Sequence, residues 1–207
     1  MTTTVEIVLF EGFDELDALG PFEVLRQAAR QGAPLSCKLV TLGGPGEVQG
    51  ANGLRLRSEG ALGEPSWLVI PGGGWGDRAE CGAWGEARRG ELPKAIASAH
   101  ARGARIASVC TGALLVARAG LLNGRPAVTH RSALGDLARA GAEVVEARVV
   151  DDGEIVTAGG VTSGLDLGLH LLTRIAGPAM AERVAVEMEV RRESVYLSPR
   201  APRLAGG

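Results

Sequence analysis

Cys110 stands where a short apolar run ends and an Ala/Leu-rich run begins, in Arg105-Ile-Ala-Ser-Val-Cys110-Thr-Gly-Ala-Leu-Leu-Val-Ala117. Ile106 to Val109 reads as a central strand, and the residues from Gly112 onward have helical spacing. The thiol then sits at a helix N-terminus, where unpaired N–H groups favour thiolate and lower the pKa from its free value of about 8.5. Such a cysteine is suited to nucleophilic addition, although a buried structural cysteine is the competing reading. Asp14, Glu15 and Asp17 follow the first apolar run, and the Asp17 side chain could face the thiol from that strand end. Helix capping would by itself explain an aspartate there, and the two roles are compatible. A carboxyl facing the thiol would be driven to hold a proton as the sulfur ionises.

The elements that must position these groups follow from the apolar pattern. Strands are expected over Val5–Phe10, Ser36–Leu42, Trp67–Ile70, Ile106–Val109 and Pro126–Thr129, with a strand pair over Glu143–Val150 and Glu154–Thr157. Helices are expected over Leu16–Gln31, Leu92–Ala101, from Gly112, over Ser132–Ala140 with a serine cap, and over Gly164–Ala176 and Pro178–Arg191. Pro21 is assigned to an opening turn, and the stretch from Pro71 to about Gly90 to a long loop. This alternation predicts a mostly parallel sheet covered on both faces, with ligands at the carboxyl ends of the strands. Asp17, Pro71-Gly72-Gly73-Gly74 and Cys110 all fall on that edge.

The chain has 207 residues, 45% hydrophobic and 22% charged, enough for one core; we assign residues 1–197 to a single domain and 198–207 to a loose tail. A net charge of −2 supplies no basic field for nucleic acid or an anionic membrane. No apolar run approaches a membrane span and no secretory signal is evident, so a cytoplasmic location is expected. Cys37, Cys81 and Cys110 are an odd number at wide spacing, which argues against a disulfide framework and a zinc site.

Five ordered segments resemble the ThiJ/PfpI family of the class I glutamine amidotransferase-like superfamily. They are Leu16-Asp-Ala-Leu-Gly-Pro21, Ile70-Pro-Gly-Gly-Gly74, Ser108-Val-Cys-Thr-Gly-Ala113, Thr129-His130 and Gly159-Gly-Val-Thr-Ser-Gly-Leu-Asp166, spread over about residues 5 to 190. The pairing of Asp17 with Cys110-Thr111 is most similar to the isocyanide hydratases. The resemblance implies a flavodoxin-like three-layer α/β/α sandwich, usually a homodimer, and an electrophilic small molecule as partner. It implies Cys110 as nucleophile and Asp17 as general acid and base, converting an isocyanide to an N-formamide. Thr111, with Gly72 and Gly73, would supply backbone N–H groups to developing negative charge or to the sulfur. Cys110 would be prone to oxidation in such a nest. No metal or other cofactor enters this reading.

Two departures narrow the choice. Protease-like members carry His after the nucleophile, where Thr111 stands here, which removes a Cys/His pair. Glutamine amidotransferases need a late His-x-Glu; the only late histidine, His170 in Leu169-His-Leu-Leu-Thr173, reads as a packed helix residue. His130 ends a strand at the ligand edge, where pocket lining and a structural role both remain open. Glyoxalase-type chemistry and a cysteine-oxidation sensor are the alternatives. The N-terminal domains of AraC-type regulators also resemble this chain, but no reading helix follows it, so DNA binding is not expected.

Overall fold

The computed structural model describes residues 2–191 and 194–202. Strand β1 (Thr3–Val8) buries Val5, Ile7 and Val8, and helix α1 (Glu15–Arg30) returns the chain to β2 (Leu35–Thr41). Two short strands, β3 (Glu47–Gln49) and β4 (Arg55–Arg57), form a separate hairpin, and β5 (Gly60–Ala61) adds to the sheet edge. All four residues of β6 (Trp67–Ile70) are buried, as a strand covered on both faces requires. Removing Leu68, Val69 and Ile70 from water stabilises the fold by about 1.5–3 kcal/mol each.

Helices α2 (Ala83–Arg89) and α3 (Glu91–Ala101) precede β7 (Arg105–Val109), which runs into α4 (Gly112–Arg118). Strand β8 (Pro126–Ala127), α5 (Leu134–Arg139) and β9 (Glu143–Val144) form a side unit. Then come β10 (Val149–Asp151), β11 (Ile155–Ala158), α6 (Ser163–Ala176), α7 (Pro178–Glu187) and β12 (Val195–Leu197).

The eight-stranded sheet runs β12-β10-β11-β7-β6-β1-β2-β5, parallel throughout except for β10 against β11. Helices α1, α6 and α7 pack together as one group, and α2, α3, α4 and α5 as another. The mostly parallel, doubly covered sheet that the alternation predicts and the three-layer α/β/α sandwich that the resemblance implies are the observed architecture.

Several local assignments differ. The glycine-rich stretch before Gly90 contains α2. The segment 143–150 is two strands in different sheets, because β9 pairs β8 while β10 pairs β11. Residues 131–133 form a 3-10 turn before α5, and its cap is the His130 ring, which accepts from the Ser132 amide. Pro21 is the seventh residue of α1, beyond the opening turn, so its missing N–H removes a bond to the Asp17 carbonyl. Pro21 lies against α6: a Cβ on Gly164 would stand 3.1 Å from Pro21 Cδ. Ser198 is not loose. It is buried, its amide donates to Asp151 O and its hydroxyl to Asp152, and Arg200 pairs with Asp152 at 3.0 Å. Residues 203–207 of the assigned tail lie outside the described residues.

Candidate active site

Strand β7 delivers Cys110 to the carboxyl edge with φ +54°, left-handed backbone that costs a non-glycine residue about 1–2 kcal/mol. Three hydrogen bonds hold it there. The Cys110 amide donates to Gly159 O (2.7 Å) and Ala158 O (3.1 Å), and Thr129 Oγ1 donates to Cys110 O (2.7 Å). Neighbouring β11 and the segment after β8 thus enforce the elbow from outside it.

The turn also needs glycine. A Cβ on Gly112 would stand 2.2 Å from Ile70 O, and one on Gly72 would stand 2.4 Å from Thr111 Oγ1. With hydrogen alone at both positions, the end of β6 and the start of α4 touch, and two loops distant in sequence become one surface.

Asp17 projects from the first turn of α1, fully buried. It is not the cap: Asp14 fills that role, its Oδ1 accepting from Leu16 N at 3.1 Å. Gly72 N donates to Asp17 Oδ2 (2.9 Å), the carboxyl interacts with the Cys110 thiol, and Asp17 Oδ1 has no hydrogen-bond partner among the described residues. Burial, reinforced by the negative charge of Asp14, raises the Asp17 pKa well above the usual carboxylate range. Asp17 therefore carries a proton well above the pH at which an exposed carboxyl loses it.

The thiol departs from expectation. Cys110 is 6% exposed, and burial pushes its pKa upward, helped by the Asp17 charge and opposed by the Thr111 amide. The expected dipole effect exists in that amide, but α4 is only seven residues long and desolvation outweighs it. The Asp17 charge opposes ionisation of the thiol, and the thiol's hydrogen bond lowers the Asp17 pKa by less than burial raises it, so the resting pair holds its protons.

The glycine amides also differ from expectation. Gly72 N–H is taken by Asp17, and Gly73 N–H donates to Thr111 Oγ1 at 3.0 Å. In this resting geometry they orient side chains and do not stand open as oxyanion donors. His130 is half-buried; its Nδ1 meets Ser132 Oγ at 2.8 Å and accepts from the Ser132 amide, which puts the proton of a neutral ring on Nε2. A cavity of about 490 Å³ opens beside it, lined by Thr129, Leu134, Arg148, Gly159 and Ser163, and two of these also bond the Cys110 backbone.

His170 lies elsewhere, paired with Asp151 at 2.7 Å in the interior. It is packed, as expected, with a carboxylate brought from β10. Cys37 is a core strand residue whose thiol burial pushes up to about 12. Cys81 is exposed. Among the described residues no group of three or more His, Cys, Asp or Glu could hold a metal ion. Sequence reasoning named Asp14 as a carboxylate and placed Thr129 and Gly159 in family-like segments, but it gave the cap to Asp17 and no part in the elbow to the other two, which act through a hydroxyl and a carbonyl brought from neighbouring segments.

The sequence matches the DJ-1/PfpI family over residues 3–174, and the chain belongs to that family. It is 31% identical over 192 residues to an isonitrile hydratase of Pseudomonas putida, covering 91% of this chain and 79% of the relative. An HTH-type transcriptional regulator of Pseudomonas aeruginosa is 29% identical over 190 residues, covering 89% of this chain and 54% of the regulator. Among solved structures, a ThiJ/PfpI family protein from Pseudomonas syringae superposes with a TM-score of 0.79 at 28% identity, covering 100% of this chain and 80% of that one. Drosophila melanogaster DJ-1beta shares the fold at 21% identity, with a TM-score of 0.78 over 92% of this chain and 100% of its own.

Proposed function

We propose that the protein hydrates an isocyanide to an N-formamide, with Cys110 as nucleophile and Asp17 as general acid and base. The observation that carries this reading is a fully buried, proton-holding carboxyl beside the thiol of a strained strand-to-helix elbow. The isonitrile hydratase relative supports the same substrate class.

The terminal carbon of an isocyanide accepts a nucleophile and a proton at one atom, which matches a thiol and an acid held together. The sulfur bonds to that carbon as Asp17 gives it a proton, and Asp17 then takes up the proton that the thiol releases. The product of this step is a thioimidate, S–CH=N–R. Asp17 next passes the proton it took from the thiol to the nitrogen and draws another from water as the water oxygen adds to the same carbon, giving S–CH(OH)–NH–R. The C–S bond breaks as the hydroxyl becomes the formyl carbonyl, the hydroxyl proton passes to the sulfur, and R–NH–CHO leaves; one water is consumed in all. A pair that holds its protons at rest lets the substrate approach without a prior charge in the site.

Thr111 contributes its amide to the sulfur, with its hydroxyl fixed by Gly73, while Gly72 orients the acid. His130 is assigned to the pocket wall. Homodimeric assembly and a single domain belong to the same proposal, the former read by sedimentation. Purified protein given an aryl isocyanide is expected to yield the formamide, followed through its formyl proton resonance. Cys110→Ala should abolish turnover and Asp17→Asn should lower it by about 10²–10⁴-fold. A wild-type rate no faster than that of Cys110→Ala rejects the reaction.

A further inference from the structure

A cavity of about 540 Å³ opens at the other edge of the sheet, where strands begin. Thr3 starts β1, Trp67 starts β6 and Arg105 starts β7, and all three line it. The five residues of β7 separate this opening from Cys110 by roughly 17 Å at about 3.3 Å per residue. Nothing in the proposed reaction uses it.

Two guanidinium groups lie against the Trp67 ring, Arg174 at 4.8 Å and Arg105 at 5.6 Å from its centroid. Arg174 is fixed: its side chain is 6% exposed, and Nη1 alone serves Asp151 Oδ1 (3.2 Å) and the Gly153 carbonyl. Among the described residues its Nη2 and Nε have no hydrogen-bond partner. Arg105 reaches Glu154 through Nε at 3.5 Å, and its Nη groups likewise have no hydrogen-bond partner there. The free donors of both groups belong to residues that line one cavity.

A third donor set joins them. Gly177 and Pro178, also in the lining, start the ten-residue helix α7, which has no side-chain cap and no acidic residue in its first turn. Pro178 has no N–H, the Gly177 amide donates to Thr173 O and the Ala181 amide to Gly177 O, so the amides of that turn left without an acceptor within the helix are those of Ala179 and Met180, directed toward its N-terminal end. Burial, and the like charge of Arg105, loosen the hold of Arg174 on its proton against the pull of Asp151 and Glu154, and a bound anion offsets the like charge. Pro202 closes one side, on the segment that Ser198 and Arg200 fasten to Asp152.

We propose that this cavity is a second ligand site, binding a phosphate-type oxyanion between Arg105, Arg174 and the first turn of α7. Two cations and a set of amides on separate elements suit a tetrahedral, multiply charged group, whereas a planar carboxylate is satisfied by one guanidinium fork.

Calorimetric titration of the full chain with inorganic phosphate, at ionic strength held constant with sodium chloride, tests this. Saturable one-to-one binding is expected, unchanged in Cys110→Ser and weakened tenfold or more in Arg105→Gln, a position whose side chain is 45% exposed. Ala179→Glu is the second variant. It places a carboxylate in the first turn of α7 at an exposed position, where it favours the helix and repels the anion, so binding should vanish in a protein at least as stable as wild type. A small phosphate monoester run in parallel separates the sources: tighter binding than phosphate assigns a phosphorylated metabolite, and equal binding assigns free phosphate. The proposal is overturned by non-saturating heats, by unchanged binding in Arg105→Gln or Ala179→Glu, or by acetate binding as well as phosphate.

Discussion

Cys110 and Asp17 each have an ordinary chemistry that their surroundings suppress. Burial works on both; the Asp17 charge further raises the thiol pKa, and the Asp14 charge further raises that of Asp17. For Asp17 the sign of the pH effect follows directly. Below the unfolded carboxyl value, about pH 3.9, both folded and unfolded chains hold the proton, and stability is undiminished. As pH rises toward the folded value, the unfolded chain ionises and the folded one does not, so stability is progressively lost. Asp17→Asn keeps an acceptor for the Gly72 amide and removes this loss. Its melting temperature should fall less than that of wild type between about pH 4 and 7; parallel curves would show that the carboxyl is not raised. The same substitution bears on the thiol. Because the Asp17 charge is the second cause, after burial, holding the Cys110 proton in place, its removal should move alkylation of Cys110 to lower pH. Peptide-resolved mass spectrometry separates this from exposed Cys81. An unmoved or higher alkylation pH contradicts the coupling.

The elbow is a property of elements in contact. Strand β7 and helix α4 supply the turn, but its geometry depends on the carbonyl end of β6 pressing where Gly112 has no side chain, and on Gly159 and Thr129 bonding the Cys110 backbone. Gly112→Ala puts a methyl 2.2 Å from Ile70 O, so β6 and α4 must separate. Overpacking of this kind costs about 1–3 kcal/mol, and the shift carries Cys110 away from Asp17. Denaturant unfolding should show the loss, and isocyanide turnover per folded molecule should fall with it. A folded, fully active Gly112→Ala protein would falsify the tight-contact account. The strand, the turn and the helix were legible because Ile106–Val109 and Gly112–Ala117 are contiguous and periodic. The short α2 escaped notice, since seven residues flanked by glycine carry little period.

Across the whole molecule, the sheet separates two regions by the length of its strands. At the amino edge, β10 and α6 bury Asp151 with His170 and Arg174, and β12 with the following segment covers the neighbouring Asp152. Removing one member leaves the rest uncompensated. Asp151→Ala strands the Arg174 guanidinium, and such a broken buried pair costs about 3–5 kcal/mol. Denaturation midpoints should drop accordingly while turnover per folded molecule holds, because this cluster touches neither Asp17 nor Cys110. A loss of turnover without a loss of stability would place the cluster in the chemistry.

Local order along the chain determined the alternation of strands and helices, the parallel sheet and the edge on which Asp17, Gly72, Gly73 and Cys110 gather, because hydrophobic period and glycine punctuation are short-range signals. Only the tertiary structure decided the protonation of the pair, the occupied glycine amides, the anchoring of Ser198 and the partnership of His170 with Asp151. Each depends on how many atoms from distant segments surround a polar group, and desolvation by those atoms outweighed the helix-end dipole that the sequence alone made visible.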